Sequence, residues 1–264
     1  MKLSPRVIVA LVCIAASLPI PIAAAQDLTV MTSGGFAAPV EHLVPKFEAS
    51  SGLHVAQVHG ASMGTTTTAI PMRLARSEPA DVVILARSAL DALAKQGLVI
   101  EGSQVDLVRS KIGMAVKAGA PVPDIGTVAA FKKTLLAAKS IAYSDSASGV
   151  YIETEMYKKL RIESQAARKS TKILGDPVGG VVAKGDAEIG FQQMSELKPI
   201  PGITIVGPIP DEVQQITVFS AGIVAASKHK GAARALIAYL ASASACPVIV
   251  QDALEPTACA TGKK

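Results

Sequence analysis

Tyr143-Ser144-Asp145-Ser146-Ala147-Ser148-Gly149-Val150-Tyr151 is the run that decides the fold class, because the chain changes period across it. On its N-terminal side Ser140-Ile141-Ala142-Tyr143 reads as a buried strand. On its C-terminal side Ile152, Met156, Tyr157 and Leu160 recur on one face of a helix. The turn between them is a helix N-terminus, where the first backbone N–H groups lack intrahelical partners and the helix dipole favours negative charge. Ser146, Ser148 and Gly149 are therefore candidates to hold a carboxylate or a small oxyanion. The plainer account of the same residues is an N-cap, since Ser, Asp and Gly cap most helices.

The same order of strand, small-residue loop and helix repeats outward from this run. Leu28 to Met31 reads as a strand leading through Thr32-Ser33-Gly34-Gly35 into a helix from Val40 to Ser50, with Pro45 weakening its middle. Leu53 to Val58 is a second strand, Gly60-Ala61-Ser62-Met63-Gly64 a small-residue turn, and Thr65 to Arg76 a second helix carrying Arg73. Asp81 to Leu85 has the continuous apolar character of a strand buried on both faces, and Gly97 stops the helix that follows. After a Pro-rich passage from Ala120 to Asp124 the pattern resumes, and it closes with an amphipathic helix from Gly231 to Ala241.

This alternation predicts an α/β protein with sheets flanked by helices. In such sheets ligands sit beyond the carboxyl ends of the strands. Four loops occupy that position: Thr32 to Gly35, Gly60 to Gly64, Ser144 to Gly149, and Phe191-Gln192-Gln193. Each offers hydroxyl, amide or backbone donors and few acceptors, as a multiply charged anion requires. The candidate ligand-binding residues are Ser33, Gly34, Ser62, Met63, Arg73, Ser146, Ser148, Gly149, Tyr151 and Gln192. Arg73 can grip a carboxylate with two parallel bonds if its helix face meets the cleft; the alternative is a surface arginine.

Lys2 and Arg6 precede an apolar run from Val7 to Ile22, and Ala23-Ala24-Ala25 supplies small residues for cleavage. Residues 1–25 thus read as a secretory signal, which removes Cys13 and lowers the formal net charge from +5 to +3. The remaining cysteines, Cys246 and Cys259, are expected to pair in an oxidising compartment. Aromatic residues make up 3% of the chain and Trp is absent, which disfavours a nucleic-acid reader built on stacking platforms. His42, His54 and His229 stand apart from one another, so no metal is assigned. The chain has no Gly-x-Ser-x-Gly elbow, His-Glu-x-x-His helix or Gly-Lys-Ser/Thr phosphate loop.

Several segments in order carry a family likeness: Ser33-Gly34-Gly35, Phe47 to Gly52, Gly60 to Gly64, Pro79-Ala80-Asp81-Val82-Val83, Lys95 to Val99 and Gly185 to Gly190. With them the chain resembles the type II periplasmic solute-binding proteins of the molybdate-binding-like group. The resemblance implies two lobes joined by crossover strands, with a ligand trapped in the cleft by closure. The expected organisation is a first lobe over residues 26–117, a second lobe over 118–212, and a return to the first lobe over 213–264. The expected ligand is a di- or tricarboxylate, and the expected protein a periplasmic monomer without a cofactor. If it serves transport, its partner is an ABC permease.

Molybdate binders carry a tyrosine where Gly190-Phe191 here leads into Gln192-Gln193, which places a molybdate or other oxyanion receptor below a carboxylate receptor. Met31-Thr32-Ser33-Gly34-Gly35-Phe36, the Ser144 to Tyr151 turn and Gly190 to Gln193 are similar to the periplasmic aconitate isomerases, enzymes on this same fold. That narrower resemblance implies, as the alternative to plain binding, a proton shift along an allylic skeleton between trans- and cis-aconitate. His59, Asp145, Tyr143 and Tyr151 are its candidates for proton transfer.

Overall fold

The computed structural model describes residues 27–259, so the signal segment read at 1–25 lies outside the described residues. Eleven strands form two sheets among them. The first contains β1 (Asp27–Thr32), β2 (His54–His59), β3 (Val82–Ala86), β4 (Val105–Ser110), β10 (Thr217–Ile223) and β11 (Glu255–Pro256). The second contains β5 (Ile112–Lys117), β6 (Ile141–Ser144), β7 (Ser170–Ile173), β8 (Ile189–Gln193) and β9 (Ile203–Pro208). The order is β11-β4-β10-β3-β1-β2 in one sheet and β7-β6-β8-β5-β9 in the other. Pairs β1–β2, β1–β3, β6–β7 and β6–β8 are parallel, and β10 and β5 each join their neighbours antiparallel.

The chain crosses between the lobes twice, at Lys111 and between β9 and β10. The expected first lobe, residues 26–117, includes the strand Ile112–Lys117, but this strand pairs with β8 and β9 and belongs to the second sheet. The expected boundary at 117 therefore moves to Lys111. Gln214 fastens the two crossings together: its Oε1 accepts from the Ile112 N–H at 2.9 Å, and its Nε2 donates to the Ile112 carbonyl at 3.0 Å.

Local chemistry explains the helices. Pro45 lies inside the helix Ala37–Ser51, on its exposed side, where the carbonyl of Glu41 that loses its N–H partner can meet water. Gly52 ends that helix in the left-handed conformation. The second helix is shorter than its spacing suggested: only Ile70–Ala75 is helical, because the threonine-rich stretch before it turns instead. Ala147–Tyr151 continues through a π-helical stretch, Ile152–Met156, into Tyr157–Leu160, and such stretches often mark functional sites.

Each lobe has its own core. Leu28, Val30, Phe36, Leu43, Phe47 and Phe219 pack in the first; Phe131, Tyr143, Tyr151, Met156 and Phe191 pack in the second. Phe131 meets Phe191 edge-on with ring centroids 6.0 Å apart. A disulfide joins Cys246 to Cys259. It ties the start of the helix Cys246–Gln251 to the tail that follows β11, so that short edge strand stays on β4. Reducing this bond should lower the unfolding free energy by about 3 kcal/mol, the loop-entropy value for a ring of this size. Urea titration with and without reductant measures it, and identical midpoints would show that the bond does not restrain the unfolded chain.

Candidate functional site

The carboxyl ends of the parallel strands in both sheets converge on a cleft between the lobes. A cavity of about 330 Å3 lies there, at the small end of the range for small-molecule sites. The first lobe contributes Gly34 after β1, His59 at the end of β2 and Thr68; the second contributes Asp145, Ser146 and Gln192. Five residues singled out on sequence therefore meet in one cavity: Gly34, His59, Asp145, Ser146 and Gln192. The lobes also touch directly, since the Ser62 N–H donates to Ser146 Oγ at 3.1 Å.

Ser33, Ser62, Ser148 and Gly149 belong to the loops that form this cavity but do not line it. Ser33 is 1% exposed and its hydroxyl has no partner, although it stands at the start of the turn leading into the helix Ala37–Ser51. Ser62 Oγ accepts from the Ala86 N–H at 3.0 Å, which pins the second loop to the end of β3. Ser148 Oγ lies 3.2 Å from Ser144 Oγ, so its hydroxyl closes the turn and does not cap the helix. Gly149 is required by packing: a Cβ there would fall 1.6 Å from the Ser144 carbonyl oxygen.

Four candidates lie elsewhere. Arg73 does not line the cavity: its guanidinium pairs with Glu78 and its Nε donates to the Thr68 carbonyl at 3.1 Å. The planar fork is occupied in bracing the loop that carries Thr68. Met63 packs against the first core and faces a separate cavity of about 280 Å3 on the hinge side of the cleft. Tyr151 faces that cavity too, but its hydroxyl donates to the Val213 carbonyl at 2.7 Å and accepts from Lys159 Nζ at 3.1 Å. Tyr143 packs in the second core, where burial raises its phenol pKa and the negative charge of Glu153 adds to the rise. A tyrosine made a weaker acid by its surroundings is poorly placed to give up a proton.

Reasoning from sequence missed Glu196. It sits in a one-turn helix, Met194–Leu197, after β8, half-buried with its side chain on the cavity wall. Burial pushes its carboxyl up to about 7, against hydrogen bonds from Gln192 and the Gln193 backbone, while the charge of Asp145 pushes the same way as burial. Asp145 is itself 7% exposed, and one of its carboxylate oxygens, Oδ2, has no partner. The signal in the sequence was the spacing of Gln192 and Glu196, four residues apart, next to a loop already counted as part of the site. Asp176, after β7, was missed as well.

Among the described residues no lysine or arginine lines the cavity. An anion here would be held by backbone N–H groups at helix starts, by hydroxyls and amides, and by His59. A carboxyl group able to change charge near neutral pH would stand beside it.

The chain's likeness to known proteins agrees with this geometry. Residues 28–252 match the family model described as bacterial extracellular solute-binding protein. This chain belongs to that family. A relative from a Pseudomonas species, named aconitate isomerase, is 48% identical over 239 residues, covering 89% of this chain and 91% of its own length. In three dimensions the fold matches the periplasmic molybdate-binding protein of Azotobacter vinelandii with a TM-score of 0.67, at 20% identity over 86% of this chain and 98% of that one. The sulfate-binding protein of Mycobacterium tuberculosis matches with a TM-score of 0.68, at 18% identity over 89% of this chain and 88% of that one. At these identities the two structures establish the type II binding-protein fold alone.

The raised pKa of Glu196 makes a prediction about stability. Between its ordinary value of 4.5 and about 7 the folded protein holds a proton on Glu196 that the unfolded chain has released. This side chain's contribution to stability therefore falls as pH rises through that window. Glu196→Gln removes the penalty. The variant should melt at the same temperature as the parent below pH 4.5 and at a higher temperature above pH 7. Melting curves of both proteins across that range test this, and parallel curves would mean that the carboxyl titrates normally.

Proposed function

We propose that this protein is a periplasmic enzyme on a solute-binding fold that interconverts trans- and cis-aconitate, with Glu196 as the group that moves the proton. The observation that carries the reading is the position of Glu196 on the cleft wall, where Gln192 donates to its carboxyl at 3.0 Å; burial pushes that carboxyl up to about 7. A receptor that only holds and releases an anion gains nothing from an ionisable acid beside it. An isomerase needs such a group poised near the working pH. The relative named aconitate isomerase supports the substrate.

The reaction needs little else. Ionised Glu196 removes a proton from the methylene carbon of trans-aconitate, and the C–H electron pair becomes the new double bond. The former π pair takes the same proton at the other end of the allylic unit. Electrons and atoms balance without an oxidant, a reductant or a cofactor. The negative charge that develops spreads onto a substrate carboxylate, where fixed N–H and hydroxyl donors favour it most when water is excluded. Ser146, Thr68, His59 and the backbone N–H of Gly34 are the donors this cleft offers. One group serves both ends because the two carbons that exchange the proton are separated by a single carbon.

A second reading, a receptor that passes a carboxylate to an ABC permease, draws on the solute-binding family itself. Incubating the purified protein with trans-aconitate and following cis-aconitate by chromatography separates the two. Turnover is expected, with kcat/KM rising through an acid limb near pH 7. Glu196→Gln should lower kcat by about 100- to 10,000-fold, the usual contribution of a positioned acid or base. A raised melting temperature with trans-aconitate but no product would leave the receptor reading standing.

A further inference from the structure

We propose that Gln192 and Gly34 are positioning residues for Glu196, one aiming its carboxyl from within the second lobe and the other making room for it from the first. The inference rests on the reading of Glu196 given above and extends it to the residues that set its geometry.

Gln192 is 5% exposed, and its amide has one allowed orientation. The Val178 N–H, at the start of the helix Val178–Lys184, donates to Gln192 Oε1 at 3.0 Å. A backbone N–H can only donate, so the amide oxygen must face it and the amide NH2 must face away. Facing away, Nε2 donates to Glu196 Oε1 at 3.0 Å. Gln192 therefore brings a donor to Glu196 and nothing that can accept from it, which favours the ionised, proton-accepting form.

Gly34 acts from the opposite wall. A Cβ at this position would fall 2.1 Å from Glu196 Oε1, so the carboxyl group fills the volume that any other residue would occupy. Its φ is not in the left-handed region, so backbone conformation does not require glycine here. What the missing side chain provides is space. Ser195 Oγ donates to the Gly35 carbonyl at 2.9 Å and fixes the short helix bearing Glu196 against this loop. Gly34 and Gly35 belong to the first lobe and Ser195 and Glu196 to the second, so the cradle is complete only when the lobes are together.

Other ionisable groups surround Glu196. Asp145, Asp176 and His59 line the same cavity, and Glu41, His42, Lys198 and Asp252 line an adjoining one that shares the Glu196 wall. All are left in place in the variants that test the proposal.

The experiment follows the side-chain carboxyl of Glu196 by carbon NMR in the full-length exported protein labelled at glutamate, with Glu196→Gln assigning the resonance. Gln192→Leu should raise the Glu196 titration midpoint by about one pH unit through loss of the donated hydrogen bond. Gln192→Glu keeps an oxygen for the Val178 N–H while replacing the donor by an acceptor. It should raise the midpoint at least as far, and it carries the test if the leucine variant does not fold. Gly34→Ala should shift the Glu196 resonance and cut kcat at least tenfold, with its melting temperature nearly unchanged because the displaced atom is the end of a flexible side chain. In isomerase assays the acid limb of kcat/KM should move with the NMR midpoint in each Gln192 variant. An unchanged midpoint in both Gln192 variants would reduce Gln192 to a support for Val178, and an unshifted resonance in Gly34→Ala would remove Gly34. If the parent protein shows no turnover, the proposed reaction fails, while the NMR titrations still decide the cradle.

Discussion

The two passages of the chain between the lobes are fastened to each other around Gln214, and the geometry of the cleft follows from that fastening. Gln214 accepts from and donates to the backbone of Ile112 on one crossing, and its Nε2 also reaches the Ile209 carbonyl on the other at 3.3 Å. Nearby, Lys111 pairs with Asp211 at 3.0 Å, and the Tyr151 hydroxyl ties the π-containing helix to Val213. Two crossings fixed to one another hold the two sheets in one relative position. Loops from opposite sheets can then meet in one register, and Ser62 with Ser146, Gly35 with Ser195, and Gly34 with Glu196 are the contacts that result.

Within the cleft the electrostatic arrangement is economical. A multiply charged anion is usually met by arginine or lysine, yet the cavity offers helix starts, hydroxyls and amides. Such dipoles can attract an anion without placing a fixed positive charge beside Glu196, which would pull its carboxyl back down. The arrangement costs stability at neutral pH, where ionised Glu196 sits in a site that burial makes unfavourable, and sites of this kind are where function commonly opposes stability.

Much of this was legible in the sequence because the signals are local. Strand, small-residue loop and helix follow one another closely enough for a single window to show them; the loops at the carboxyl ends of strands gave Gly34, Asp145, Ser146 and Gln192, and the isomerase resemblance added His59. The residues that escaped depend on distant contacts. Glu196 looks like any exposed acid on a short turn; what makes it special is Gly34, far away in sequence and on the other lobe. Arg73 looked like a ligand fork because Glu78, which occupies it, belongs to the next turn of chain. Tyr151 follows the helix start by only a few residues, but by then the helix has rotated its side chain toward the hinge.

The second sheet is built from one uninterrupted segment, residues 112 to 208, set into a first sheet whose strands come from both sides of it. The consequence is an order of assembly. All five strands of the second sheet exist once Pro208 has been made, whereas β10 is an interior strand of the first sheet, bridging β3 and β4. Until Ile223 has been added, the first sheet lacks its middle, and β3 and β4 present unpaired edges that invite pairing with other chains. The later part of the chain is the keystone of the earlier lobe, and the first sheet can close only after the second is fully encoded.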